Sequence, residues 1–371
     1  MDILIIGGGI HGAGVAQAAA ARGFNTLLLE QTALGAGTSS RSSKLIHGGL
    51  RYLKAGHFGL VRESIQERQI LLKIAPELVQ LLQFHIPIYK QTSVRPWELY
   101  AGLLMYATFA GATQAALFHT LGPDEWDQLG GLRTEGLQKV FCYWDAQTDD
   151  RLLTQAVVQS AQALGAEVKC PAQFLSAQRE GDGYRVQVLE NVGAANEREV
   201  SLRCRFLVNT AGPWANGVLQ KIQPAPPRLT MDLVQGSHLL LPDEISDKAF
   251  YLEAPQDQRA VFIMPWYGNT LVGTTEHLYK GDPGQVKPLP QEVDYLLETY
   301  SSHFPERDLA ILDQIFHLDQ ASDPRLLTVY GGKLTGYRAT AAKLIKKVEK
   351  YLGKGKEIAD TAELPLELPS D

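Results

Sequence analysis

The first hydrophobic run, residues 2–6 (DILII), is too short for a helix. Its apolar residues fall on both alternating faces, the pattern of a buried parallel strand. Residues 10–22 follow as an alanine-rich stretch, and residues 24–29 form a second apolar run that closes on Glu30. This order predicts strand, turn, helix and strand, one βαβ unit. Residues 58–83 carry Leu60, Val61, Ile65, Leu71 and Ile74 at helical spacing with charges between them, and predict a helix. Residues 97–118 are long and apolar but are interrupted by Glu98, Gln114 and glycines. That fits a buried helix or helix pair better than a membrane span. A face lying on a membrane surface is the alternative reading.

Further along, residues 149–163 read as a helix, 166–168 as a strand, and 174–178 and 184–189 as two β-stretches. Residues 205–209 form a strand that runs into a turn at 210–213, returning the chain to the first sheet. From residue 229 the texture changes to short strands, at 237–241, 260–264 and 270–272, with a turn at Gly268-Asn269. This is antiparallel texture. A helix is expected from Pro290 to about residue 304. Residues 325–330 are a further strand, followed by Gly331-Gly332-Lys333 and a basic helix over 339–351.

The predicted fold class is α/β (α+β overall), a Rossmann-like nucleotide-binding domain with an antiparallel-sheet substrate lobe. The expected nucleotide domain is discontinuous, over 1–90, 145–220 and 325–355. The lobe takes 91–144 and 221–324, and 356–371 read as a tail.

The first turn has a chemical logic. Gly7 permits the tight turn off the strand, Gly9 lets a pyrophosphate approach the backbone, and Gly12 lets the helix pack closely on the sheet. The helix start offers unpaired N–H groups to phosphate. Ile10 and Gln31 flank the expected ligand. Glu30 stands where a carboxylate accepts ribose hydroxyls, which favours FAD or NAD over NADP. A second glycine turn at 331–333 aims another helix start at an electron-rich group, as the N1–C2=O edge of a flavin requires. Lys333 adds charge there.

Composition narrows the picture only slightly. The net charge of −6 disfavours nucleic acid as a partner. Cys142, Cys170 and Cys204 are isolated, so neither a disulfide framework nor a metal site is indicated. With no basic leader read before the first strand, a reducing, cytoplasmic setting is expected.

Residues 38–52, TSSRSSKLIHGGLRY, resemble the signature of FAD-dependent glycerol-3-phosphate dehydrogenases. The resemblance continues in order through Asp149-Asp150, NTAGPW at 209–214, GSH at 236–238, FIMPW at 262–266, GTTE at 273–276, KGDP at 280–283 and GGKLTGYR at 331–338. It implies a fold like that of D-amino-acid oxidase. It also implies that Gly7, Gly9, Gly12 and Glu30 bind the ADP half of FAD. By the same resemblance Thr38, Ser39, Lys44, Leu45 and Ile46 line its pyrophosphate and ring, with Gly212 nearby. Gly332, Lys333, Leu334 and Thr335 then lie beside the pyrimidine edge, and His47, Arg51, Tyr52 and Lys333 face the substrate. The implied reaction is hydride transfer from sn-glycerol 3-phosphate to flavin N5, giving dihydroxyacetone phosphate, with electrons passed to a membrane quinone and peripheral contact with the inner membrane face.

The chain departs from that family in places. The Gly-x-Arg-Pro stretch that anchors phosphate is missing from 311–326, Gly336 replaces a usual Thr, and the helical C-terminal domain of longer members has no counterpart. These departures keep open another 2-hydroxy acid or an amine as substrate, or a flavin-binding protein without turnover. His47 is either the base or a structural turn residue, and Arg51 either a substrate ligand or a partner of a core carboxylate. The lysines of 343–356 are either a solvated face or a contact for anionic lipid.

Overall fold

The computed structural model describes residues 1–369 apart from 112–116, 230–231, 308–312, 318–322, 325–326, 330 and 332. The chain opens with β1 (Ile3–Ile6), α1 (Ile10–Ala21), β2 (Thr26–Leu29), β3 (Leu45–Ile46), α2 (Arg51–Lys54), α3 (Phe58–Ile74), β4 (Val79–Tyr89) and α4 (Pro96–Ala110). It continues through β5 (Phe118–Leu121), β6 (Leu137–Thr148), α5 (Asp150–Ala163), β7 (Glu167–Lys169), β8 (Ala172–Glu180), β9 (Gly183–Glu190), β10 (Arg198–Cys204), β11 (Phe206–Asn209), α6 (Ala215–Leu219) and β12 (Ile222–Gln223). The remainder is β13 (Leu233–Leu241), β14 (Ala249–Glu253), β15 (Ala260–Trp266), β16 (Asn269–Gly273), β17 (His277–Tyr279), α7 (Pro290–His303), β18 (Asp313–His317), β19 (Asp323–Pro324), β20 (Leu327–Thr328) and α8 (Tyr337–Leu352).

These strands form three sheets. The first runs β19-β20-β11-β1-β2-β7, with β1 parallel to both β2 and β11. Every residue of β1 is buried, as the two-faced apolar pattern requires. Ile3, Ile5 and Leu28 face a core shared with α1, α5 and α8. Leu4, Ile6, Leu27 and Leu29 face a second sheet, β10-β9-β8-β12.

The third sheet runs β17-β13-β16-β15-β14-β4-β6-β3, with β18 pairing β13 and β5 pairing β6. Its pairings are mostly antiparallel, through β13, β15 and β16 in the second half of the chain. Val61 and Ile65 of α3 and Leu103 and Tyr106 of α4 cover one face, while Leu296, Tyr300 and Phe304 cover the other.

Two expectations need correction. The helix expected over 58–83 ends at Ile74, because Pro76 cannot continue it. Beyond it, β4 pairs with β6 over its whole length. The described part of the stretch expected as a tail is tied down: Ile358 N–H donates to Ala21 O at 2.6 Å, Leu366 N–H to Ile74 O at 2.6 Å, and the Leu366 side chain is buried.

Candidate active site

The site is assembled where β1 ends. Gly7 takes φ +106°, a conformation that costs glycine nothing. A Cβ on Gly12 would stand 1.9 Å from Gly7 O, so α1 sits on the turn only because that side chain is missing. Thr210, at the end of β11, donates its hydroxyl to Ile6 O at 2.8 Å and locks the turn from below.

Glu30 closes β2, and one of its oxygens accepts from Gly8 N–H at 2.8 Å. The other accepts from Thr32 N–H at 2.8 Å and from the Thr32 hydroxyl at 3.0 Å. Ser39, in a helical turn at Thr38–Ser40, accepts from Ile10 N–H at 2.9 Å through its hydroxyl. The serine loop and the start of α1 are therefore one unit.

A cleft of about 740 Å³ runs from this turn to the second glycine turn. Its walls include Gly7, Gly9, Ile10, Glu30, Gln31, Thr38, Ser39, Leu45, His47, Arg51, Tyr52, Gly212, Lys333, Leu334 and Thr335. Leu29, Ala172 and Phe174 give the end near Glu30 an apolar wall. Gly12 lies buried beneath the turn and Ile46 is fully buried. Gly332 lies outside the described residues.

Lys44 has another use for its side chain. The ammonium is buried 2.7 Å from Asp150, which also accepts from Ser42 N–H at 2.9 Å. The pair ties the serine loop to the start of α5, where Asp149 caps the helix through Arg151 N–H and Leu152 N–H.

At the other end, His47, Gly48 and Gly49 form a turn held from two sides. His47 N–H donates to the Thr335 hydroxyl at 3.2 Å, and Gly48 N–H donates to Asp145 at 3.1 Å. Asp145 is itself paired with the fully buried Arg68 at 2.5 Å. Sequence reasoning missed this Arg68–Asp145–Tyr106 cluster. Its only signal is an arginine on the apolar stripe of α3.

Lys333 reaches under the turn. Its ammonium sits 3.8 Å from the Tyr52 ring centroid, a cation–π contact, and is buried without a hydrogen-bond partner among the described residues. Burial, then the nearby Arg51, pulls its pKa down to about 8. Burial, with Lys333, Arg51 and Arg68 close by, pushes His47 down to about 3. The cleft thus ends in a neutral imidazole beside two cations, and a buried cation without a partner is costly until an anion meets it.

An elongated dinucleotide fits these features. The glycine turn and the start of α1 would hold its phosphates, Glu30 its ribose, and Leu45 with Leu334 and Thr335 its ring.

The comparisons agree. The model of the family "FAD dependent oxidoreductase" (DAO) matches residues 2–326. The aerobic glycerol-3-phosphate dehydrogenase of Escherichia coli (strain K12) is 34% identical over 378 residues, 94% of this chain and 74% of that protein. The D-erythritol 1-phosphate dehydrogenase of Brucella abortus (strain 2308) is also 34% identical, over 92% of this chain and 72% of its own length. The glycerol-3-phosphate dehydrogenase of Bacillus halodurans, solved in complex with FAD, superposes with a TM-score of 0.80 at 26% identity, over 99% of this chain and 67% of that one. FAD is the cofactor, and the chain belongs to the FAD dependent oxidoreductase family, with glycerol-3-phosphate dehydrogenases among its relatives.

Proposed function

We propose that the protein oxidises the secondary alcohol of sn-glycerol 3-phosphate to the ketone of dihydroxyacetone phosphate and passes the electrons to a membrane quinone. The observation that carries the reading is the unpartnered Lys333 ammonium beside Arg51 in the cleft that also holds both glycine turns. Two relatives act, by their names, on polyol phosphates. Such a substrate brings an anion to Lys333, which has none among the described residues, and one that can exchange with the carboxylate on Arg51.

The roles follow from position. FAD, when bound, supplies the acceptor for the hydride leaving the carbinol carbon. His47, kept neutral by burial and the neighbouring cations, takes the hydroxyl proton once the substrate's anion offsets those cations. Arg51 binds the anion and polarises the forming carbonyl. Lys333 holds negative charge at the ring end of the cleft, and the Tyr52 ring fixes the ammonium in place.

An exposed apolar surface on α4 supports the choice of acceptor. Trp97, Tyr100, Leu104 and Met105 of α4 are all exposed, Trp97 by 71%. No helix among the described residues is long and apolar enough to cross a membrane, so α4 would lie on the surface.

The test is anaerobic mixing of FAD-loaded protein with a panel of sn-glycerol 3-phosphate, D-erythritol 1-phosphate, 2-hydroxy acids and amines. Glycerol 3-phosphate is expected to bleach the flavin band. Bleaching by a 2-hydroxy acid or an amine alone overturns the substrate, and silence from the whole panel overturns the enzyme.

A further inference from the structure

Beyond the cleft wall, Arg51 belongs to a second cluster. Its guanidinium donates to Glu276 at 3.3 Å and to the Tyr52 hydroxyl at 3.2 Å. The other Glu276 oxygen lies 3.8 Å from Arg259. Arg259 comes from the turn before β15, where Asp257 orients it at 2.6 Å and the Tyr295 ring lies under it. Its guanidinium also donates to the Glu276 carbonyl at 3.3 Å.

One carboxylate therefore sits between two guanidinium groups carried by α2 and by the large sheet. It is half-exposed, so water and solutes reach it. Its backbone is anchored, because the preceding Thr275 is buried and donates to Glu292 at 2.5 Å. The carboxylate can swing while the chain stays in place.

Carboxylate and phosphate make the same charge-assisted bonds to guanidinium, and the phosphate carries more charge and more acceptor oxygens. We propose that Arg51 and Arg259 form a phosphate subsite at the rim of the cleft, and that Glu276 competes with the phosphate of the substrate for it. The class of ligand is a phosphate monoester whose alcohol end reaches in toward His47. The subsite supplies two planar donors to the phosphate, and it rests on the substrate class proposed above. Glu276 makes the subsite selective, since an uncharged polyol cannot displace it.

The test uses the FAD-loaded protein and two readouts: the KM for sn-glycerol 3-phosphate in anaerobic flavin reduction, and the binding of inorganic phosphate followed by flavin absorbance. Glu276→Gln removes the competitor and is expected to lower both constants several-fold. Arg259→Ala is expected to raise both about tenfold, the loss of one charge-assisted bond, with the effect falling on KM more than on the limiting rate. Arg259→Lys is expected to recover part of the loss. Should Arg259→Ala fail to hold FAD, Glu276→Gln carries the test alone at an isosteric, half-exposed position. Unchanged phosphate binding in Glu276→Gln overturns the subsite, even when glycerol 3-phosphate reduces the wild type. Phosphate binding that responds to both variants, with no reduction by glycerol 3-phosphate, upholds the subsite and rejects the substrate.

Discussion

The sharpest residue-scale consequence is that Lys333 works against the fold it belongs to. A buried ammonium without a hydrogen-bond partner destabilises the protein. Its folded pKa, about 8, lies below the usual value for lysine, so protonation opposes folding at neutral pH. Lys333→Met is expected to raise the melting temperature at pH 7 and to raise the KM for substrate about tenfold or more. A lower melting temperature with unchanged KM contradicts the role. The pH profile follows with the same sign. The cation is present below about pH 8 and lost above it, so kcat/KM is expected to fall as pH rises through that value. His47, held near 3, contributes no acid limb between pH 5 and 8; such a limb assigned to His47 by its loss in His47→Asn contradicts its neutral state. Both residues were named from sequence, because a known motif surrounds them. Which residues pair with which across the site was not legible. Thr335 lies 288 residues from His47 and Glu276 lies 225 from Arg51, separations that no local pattern spans.

At the scale of elements, local signals were read well and crossings were not. The βαβ unit of β1, α1 and β2 was legible because strand burial on two faces and glycine spacing are properties of a few adjacent residues. The boundary between α3 and β4 was not, since Leu78, Val79, Leu81 and Leu82 continue an apolar texture across a change of period. Pro76 was the signal that could have placed the break. The serine loop gives an element-scale test. Asp150→Asn leaves the Lys44 ammonium buried without its counter-ion, which costs about 3–5 kcal/mol. Urea unfolding should report that loss, with looser FAD binding as Ser42 and Lys44 are released. A loss under about 1 kcal/mol means that solvent compensates the pair. Gly12→Ala is expected to give folded or partly folded protein that no longer retains FAD, because its Cβ meets Gly7 O. Full FAD content in that variant, read from absorbance, contradicts the packing account.

For the whole molecule, one sheet leads into the glycine turns after β1 and β20, another leads into the turn with His47 after β3, and α4 lies on a face of the latter. Helix and apolar character of α4 were legible in sequence; which residues it leaves exposed was not, because burial depends on α3 and β5 packing beneath it. Replacing Trp97, Tyr100 and Leu104 together by serine is expected to abolish co-flotation with anionic vesicles while leaving flavin reduction in solution intact; flotation equal to wild type removes the lipid contact. The central claim concerns the cleft itself: two glycine turns and two cations define a site for a flavin and a phosphorylated alcohol. Rapid anaerobic mixing of the FAD-loaded protein with sn-glycerol 3-phosphate, and separately with glycerol at the same concentration, addresses it most directly. The expected result is full bleaching of the flavin by the phosphate ester and none by glycerol. Equal bleaching by both, or by neither, contradicts it.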